Sequence, residues 1–402
     1  MAQVQFTLEM EFLTALFEES PDKAFGKLMQ QLLNQVLLAE SEQQLGAGNY
    51  ERTRERTDYR NGTRSRTLTT RIGKLELEVP RHRNTPFETV LFEQYQRNEQ
   101  ALILTMIEMV VQGVSTRSVQ KVTEQLCDQT FSKSAVSGMC RKLDGPVREF
   151  RYRLLPGKYP FVMVDAMYVK VREDHRVVSK ALYVALGINE QGKKEILGFD
   201  VAGAESEPNW REFLTGLKER GLHGVDLVTS DAHKGLVKAL KEVFPEVVWQ
   251  RCQVHLQRNI LEKTPKKHMA GLAGELRSMF QASTLEEARK LRNEICQEYE
   301  DVAKEAMEIL DQGFEDAMGV MHLPLKYRVT LRSTNLLERE NRELRRREAV
   351  IQIFPNRESA IRLMGGVLMD DHRDFSLQSR CFSMTEYFGK RELILPKMRK
   401  AV

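Results

Sequence analysis

The chain is 402 residues long, with 29% charged and 41% hydrophobic side chains and a formal net charge of +4, which is room for two or three domains each with its own core. No run approaches the roughly 18 consecutive apolar residues of a membrane span, and the start, MAQVQFTLEMEF, lacks the basic-then-apolar order of a secretory leader. The five cysteines are scattered and odd in number, which suits reduced thiols in a cytosol better than a disulfide framework.

Residues 1–50 hold seven acidic and two basic side chains. Phe25, Leu28, Met29, Leu32, Leu33 and Val36 recur there at helical spacing, which predicts an amphipathic helix with Pro21 near its start, either packed on a core or paired with a second copy. Residues 51–83 reverse the balance, with ten Lys or Arg against five acids. Within them RNGTRSRTLTTRIGKLELEVPRHR alternates as a β-hairpin does, with Gly73 at its turn and Leu75, Leu77 and Val79 on one face. Its arginines suit either of two roles, a clamp on phosphates or a solvated charged surface.

Residues 113–143 read as a helix-turn-helix. Ser115 can cap a helix carrying Val119, Val122 and Leu126, and Ser132 a second one carrying Val136, Met139 and Leu143. In that motif the second helix enters a major groove. Lys133, Ser134, Ser137, Arg141 and Lys142 are its candidate DNA contacts, because basic residues cluster there. Two short adjacent helices that merely pack are the alternative.

At about 144–160 (DGPVREFRYRLLPGKYP) periodicity lapses and Pro and Gly punctuate the chain, marking a boundary. Beyond it come predicted strands 161–170, 181–189 and 195–202, a helix near 209–220, strand 225–230, helix 233–243 and strand 247–251. Three strands, then helix, strand, helix and strand, is the order of a ribonuclease H-like sheet. In that order the first and fourth strands are neighbours, which would bring Asp165 of FVMVDAMYVKV beside Asp231 of VDLVTSD. An Asp in the middle of a core strand is costly unless its charge is compensated. A divalent cation held between carboxylates is one such compensator, and magnesium prefers oxygen ligands of this kind. Asp231 has the plainer reading of a cap on the 233–243 helix. Asp200, in LGFDVA, is a rival ligand by pattern.

Residues 259–331 are charged and helical in pattern, with Leu285, Ala288, Leu291 and Ile295, then Val302, Ala306 and Ile309, at helical spacing. They are expected to form an all-helical insertion, since structureless loops of that length are rare. Glu338 follows in TNLLERENRELRRR, with Arg342, Arg345 and Arg346 on the same side of the helix, suited to phosphates. Its plainer reading is a capping box with Asn335. Cys252 and His255 form a CxxH pair. A structural zinc site needs four ligands, and His268 and Cys296 could join only through long-range folding. Trp249 reads as a core aromatic, and Trp210 as core or as a stacking platform for an unpaired base.

The segments YERTRERTDYRNGTRSR, GVSTRSVQKV, VDAMYVKVRE, SDAHKGL, QRCQVHLQRN and STNLLERENRELRRREAVIQIFPN, in that order over about 50–356, closely resemble Mutator-type transposases of bacterial insertion sequences. The resemblance implies a ribonuclease H-like α/β core with a helical insertion, and a catalytic, metal-holding triad of Asp165, Asp231 and Glu338. It also implies that the region before about 150 binds terminal inverted repeats, and that Cys252 and His255 pack or organise the active site. The expected organisation is an N-terminal helical region at 1–50, a DNA-binding region at 51–150, core at 151–258, insertion at 259–331, and the glutamate helix with the C-terminal region at 332–402. The expected activity is cleavage of element ends and strand transfer into target DNA with magnesium, manganese substituting, two ions per site. The expected partners are double-stranded DNA and a second copy of the chain, in a bacterial cytoplasm at the nucleoid. A structure-selective nuclease would share the metal site but need no end-binding domain. A sequence-specific repressor would leave Asp165 unexplained.

Overall fold

The computed structural model describes residues 10–17, 21–51, 53–70, 72–92, 98–127 and 130–401, and the chain divides into two compact units, Met1–Arg141 and Lys142–Val402. The first unit contains helices α1 (Met10–Phe17) and α2 (Pro21–Leu45), the antiparallel hairpin β1 (Arg60–Thr70) and β2 (Gly73–His82), and helices α3 (Gln100–Val111), α4 (Thr116–Cys127) and α5 (Lys133–Cys140). Gly73 closes the hairpin at φ +110°, a conformation that costs glycine little. Leu75, Leu77 and Val79 turn inward as their alternation predicts and pack with Leu68, Phe92 and Leu37 of α2. Met29 and Leu33 of the expected stripe of α2 pack against this cluster, but the stripe is buried only over part of its length. The helix runs on to Leu45, so the fully buried Leu37 leads the contact and Phe25, nearer the start, is 49% exposed. Two hairpin arginines are engaged within the unit, Arg60 with Glu42 and Arg66 over the ring of Phe92.

Both predicted caps are in place: Ser115 Oγ accepts the Ser118 N–H and Ser132 Oγ accepts the Ala135 N–H. Helices α3 to α5 share a small core of Leu102, Met106, Val119, Phe131 and Val136. Lys133, Ser134, Ser137, Arg141 and Lys142 are exposed.

The second unit opens with α6 (Asp144–Tyr152) and continues through β3 (Phe161–Glu173), β4 (Arg176–Ile188), β5 (Lys194–Ala202), α7 (Glu207–Glu219), β6 (Leu227–Ser230), α8 (Lys234–Val243) and β7 (Val248–Arg251). The sheet order is β5-β4-β3-β6-β7, antiparallel across β5-β4-β3 and parallel across β3-β6-β7. The first and fourth of these strands are therefore neighbours, with Phe161 opposite Leu227 and Met163 opposite Thr229. The β3–β4 hairpin is longer than its apolar runs suggest, because charged residues 172–180 continue the pairing. Successive strand residues face opposite ways. Val162 and Val164 pack with Trp210, Leu214, Leu236 and Leu240 of α7 and α8, which leaves Asp165 on the other face.

That face is covered by three later helices, α14 (Asn335–Ile351), α15 (Arg357–Leu377) and α16 (Thr385–Ala401). Between α14 and α15 the chain adds a bridge to β3: the Phe354 N–H donates to Lys170 O and Phe354 O accepts from the Arg172 N–H, both at 2.8 Å. A Cβ on Gly365 of α15 would lie 2.6 Å from the Phe199 ring, so the helix approaches the sheet as closely as glycine allows. Helix α16 is fastened by Arg391, which donates to both oxygens of the buried Asp226 (2.8 and 2.6 Å), and by the Tyr387 hydroxyl, which donates to one of them at 2.7 Å.

Between β7 and α14 lie α9 (Gln253–Glu262), α10 (Lys266–Phe280), α11 (Leu285–Tyr299), α12 (Lys304–Met318) and α13 (Leu325–Leu331), closed on a core that includes Leu256, Leu276, Ala288, Ile295, Ala306, Leu310 and Phe314. Val302, read as part of the apolar stripe, is 43% exposed, because it falls in the turn between α11 and α12. No helix among the described residues is long and apolar enough to cross a membrane.

Candidate active site

The strand ends β6 and β7 gather the segment that precedes Glu338. Thr229 Oγ1 donates to Leu331 O at 2.8 Å across 102 residues of sequence. The Gln253 N–H donates to Arg332 O at 2.9 Å. The buried Cys252 thiol accepts from both the N–H and the hydroxyl of Thr334, at 3.4 and 3.5 Å. Three attachments in four residues fix where α14 begins, and Glu338 stands in its first turn. Burial alone would push the Cys252 thiol up, but His255 and Thr334 outweigh it and hold the thiol below its ordinary value.

The plainer readings of the second and third acids do not describe what they do here. Helix α8 is capped by His233, whose Nδ1 accepts the Leu236 N–H; Asp231 precedes the cap and takes the His233 N–H at 3.3 Å. Thr334 is the residue at the N-terminus of α14, with no side-chain cap. Glu338 instead faces His255, with Oε1 3.5 Å from Nε2. That oxygen is buried and without a hydrogen-bond partner among the described residues.

Asp165 occupies the middle of β3, partly buried. Its Oδ1 accepts the Ala166 N–H at 3.0 Å and its Oδ2 accepts the Asn341 side-chain amide at 2.8 Å. Burial pushes its carboxyl up to about 6, reinforced by the negative charge of Asp231 and more weakly of Glu338, against the pull of His255 and the Ala166 N–H. The three acids thus share one electrostatic neighbourhood although they come from β3, the end of β6 and α14. His255 is raised above its ordinary value, first by Cys252 and, after burial acting the other way, by Asp165 and Glu338.

Three charged or polar neighbours were not singled out from the sequence. Asn341 is one. Glu205, in the loop before α7, lies 3.5 Å from His233 Nδ1 and accepts the Trp210 indole N–H at 3.1 Å. Burial raises its carboxyl, His233 lowers it, and Asp231 raises it further. Arg251, closing β7, has its guanidinium lowered by burial and supported by Asp316 and Asp231. A helical-face reading from Glu338 would have reached Asn341, three residues on. No local signal marks Glu205.

The remaining candidates sort by their surroundings. Asp200 is tied to Arg151 and Arg357 in a cleft of about 610 Å³ that none of the three acids lines. Trp210 is fully buried against Tyr183 and Phe213. Trp249 is 6% exposed and donates its indole N–H to Ser230 Oγ at 2.9 Å. His268 packs edge-on against Tyr299. On α14, Arg342, Arg345 and Arg346 are exposed, with Arg346 3.1 Å from Glu343.

All three acids offer hard oxygen donors, the chemistry magnesium or manganese favours, and the stranded Glu338 oxygen is a donor awaiting a partner. Among the described residues no three His, Cys, Asp or Glu side chains already surround one point. Asp165 Oδ2 accepts from Asn341 and keeps a lone pair, and Glu338 faces His255.

A family model described as "Transposase, Mutator family" matches residues 1–378. The transposase for insertion sequence element IS256 in transposon Tn4001 of Staphylococcus aureus is 45% identical over 94% of this chain and 98% of its own length. That for ISRM5 of Rhizobium meliloti is 42% identical over 94% of each. That for IS1081 of Mycobacterium tuberculosis is 37% identical over 90% of this chain and 87% of its own.

Proposed function

Because the chain belongs to the Mutator family of transposases, we propose that it binds the terminal inverted repeats of an insertion sequence and cleaves and joins DNA strands at Asp165, Asp231 and Glu338. The observation that carries this reading is the placement of Asp165 on β3 beside β6, which leads into Asp231, with α14 carrying both Glu338 and the Asn341 amide bonded to Asp165. Asp165 is raised to about 6, after burial itself, by the charge of both others, a repulsion that a bound cation would turn into attraction. Asp165, Asp231 and Glu338 would hold magnesium or manganese, two ions in all, which would supply charge stabilisation for an in-line displacement at phosphorus.

The chain's own groups do the rest. Arg342, Arg345 and Arg346 grip the phosphates on either side of the scissile bond. His255 orients the Glu338 carboxylate from 3.5 Å away, and the Cys252–Thr334 contacts keep α14 from sliding. In the first step water gives up a proton as its oxygen bonds to phosphorus, the bond to the 3′ oxygen breaks, and that oxygen takes up a proton to leave as a 3′-hydroxyl opposite a 5′-phosphate. In the second step this hydroxyl loses its proton, attacks a target phosphodiester and displaces a 3′ oxygen there. Joining two ends in concert requires two copies on DNA. The working compartment is the bacterial cytoplasm, at the nucleoid.

Two outcomes test the reading. Full-length protein with strand-labelled element ends should give discrete nicks at the terminus in magnesium or manganese, none after EDTA, and binding with little or no cleavage in calcium. Cleavage without preference for the ends would favour the structure-selective nuclease. End binding should also fall steeply with salt, log K losing roughly 0.9 per phosphate contact for each decade of salt. Arg141→Ala with Lys142→Ala should weaken binding and flatten that slope by about 2, as measured by fluorescence anisotropy. An unchanged slope would place the contacts elsewhere.

A further inference from the structure

We infer that Asn341 is a positioning residue for this site: its side-chain amide holds Asp165 in the orientation that receives the cation, and thereby sets the site's affinity for the ion. The inference rests on the acidic-triad reading and adds to it a residue outside the triad.

The geometry is direct. Asn341 Nδ2 donates to Asp165 Oδ2 at 2.8 Å, while the Ala166 N–H donates to Oδ1 at 3.0 Å. The carboxylate is therefore gripped at both oxygens, and each keeps a lone pair for a metal. Asn341 lies three residues after Glu338 on α14, one helical turn along the same face, so a single helix carries both the third acid and the group that orients the first. It is 6% exposed, and burial leaves the amide few alternative rotamers.

The chemistry of the group decides between holding and neutralising. A lysine or arginine at this place would cancel the charge of Asp165 and compete with a cation. An amide donates a hydrogen bond and leaves the negative charge intact. The other half of the amide argues the same way: Asn341 Oδ1 is buried with no hydrogen-bond partner among the described residues. A stranded buried acceptor costs about what the bond to Asp165 returns, so this side chain is a poor stabiliser of the fold, and its place is better explained by what it does to Asp165.

Groups that hydrogen-bond a ligating carboxylate typically change metal affinity or activity by roughly 10–100-fold when removed. The test is manganese binding to the full-length protein by titration calorimetry, with bound Mn²⁺ checked by electron paramagnetic resonance, for the wild type, Asp165→Asn, Asn341→Ala and Asn341→Leu. Leucine keeps the volume should alanine fail to fold. The expected result is about 10–100-fold weaker binding in both Asn341 variants, a melting temperature without metal close to the wild type, and cleavage restored by raising manganese. A folded variant with wild-type manganese affinity would overturn the inference, even if its cleavage or melting temperature fell. Should the wild type bind no manganese, or Asp165→Asn bind it equally well, the triad reading itself fails and the inference with it.

Discussion

Asp165→Asn, Asp231→Asn and Glu338→Gln are each expected to remove strand cleavage and joining by a factor of about a thousand or more, roughly 4 kcal/mol of barrier, while end binding survives. Each change keeps the side chain's shape and removes one negative charge. Asp165→Asn carries a second signature. Its carboxyl is raised to about 6, against about 4 in the unfolded chain. The folded state therefore holds the proton more tightly, and ionising Asp165 costs stability that is fully felt above about pH 6 and absent below about pH 4. Asparagine removes that cost. Without metal the variant should melt a few degrees higher than the wild type at pH 8, a gain on the order of 2–3 kcal/mol that closes as pH falls toward 4. A gel assay of labelled ends and a pair of melting curves check both halves. Near-normal cleavage by Asp165→Asn would remove the mechanism. Near-normal cleavage by Glu338→Gln with loss in Glu343→Gln would reassign only the third acid.

Arg391→Ala is expected to be among the most destabilising surface-accessible changes in the second unit. Asp226 is 2% exposed and takes two hydrogen bonds from Arg391 and one from Tyr387. Removing the guanidinium leaves a carboxylate buried with a single hydroxyl partner. Breaking such a pair costs about 3–5 kcal/mol when both partners are buried. The arginine is a third exposed, so about 3 kcal/mol, or some 6–12 °C in melting temperature, is the expectation. Adding Asp226→Asn should return part of the loss, because the stranded charge goes with it. Equal melting of Arg391→Ala and the double variant would show that packing of α16, and not the ion pair, carries the contact. Asp226 stands just before β6, whose far end leads into Asp231, so the arginine variant should also lose cleavage at temperatures where the wild type is still active.

The parts of this protein that were legible from sequence are those where one residue's chemistry conflicts with its local setting. Asp165 is polar in an apolar strand, and that conflict singled it out as a candidate, while the succession of expected strands and helices set the first strand beside the fourth, as β3 and β6 are. Caps at Ser115 and Ser132 were readable because each is a local hydrogen bond. What escaped depends on contacts that no short window contains. Glu205 joins the site only because the loop before α7 folds against His233. Phe25 lies on the same periodic stripe as Leu33, but which part of a stripe is buried is decided by where the hairpin lands on it. Val302 belonged to a good helical pattern that the chain interrupts with a turn. Cys252 was readable as part of a motif, yet its bond to Thr334 required knowing that the chain returns to the same strand ends.

That return has a consequence for how the family can vary. The five helices between β7 and α14 leave and re-enter the sheet within a few residues of each other, at Gln253 and Arg332, where a backbone hydrogen bond joins the two ends. Such a lobe is a closed loop on a fixed base. Lengthening a closed loop costs little, about 0.6 kcal/mol for each doubling if it were unstructured, and a lobe with its own core costs less. Its size is therefore free to drift without disturbing the spacing of Asp231 and Glu338 in space. A whole foreign domain could be spliced into the turn at 300–303, giving the enzyme a new appendage while the base, and the chemistry seated on it, stays as it is.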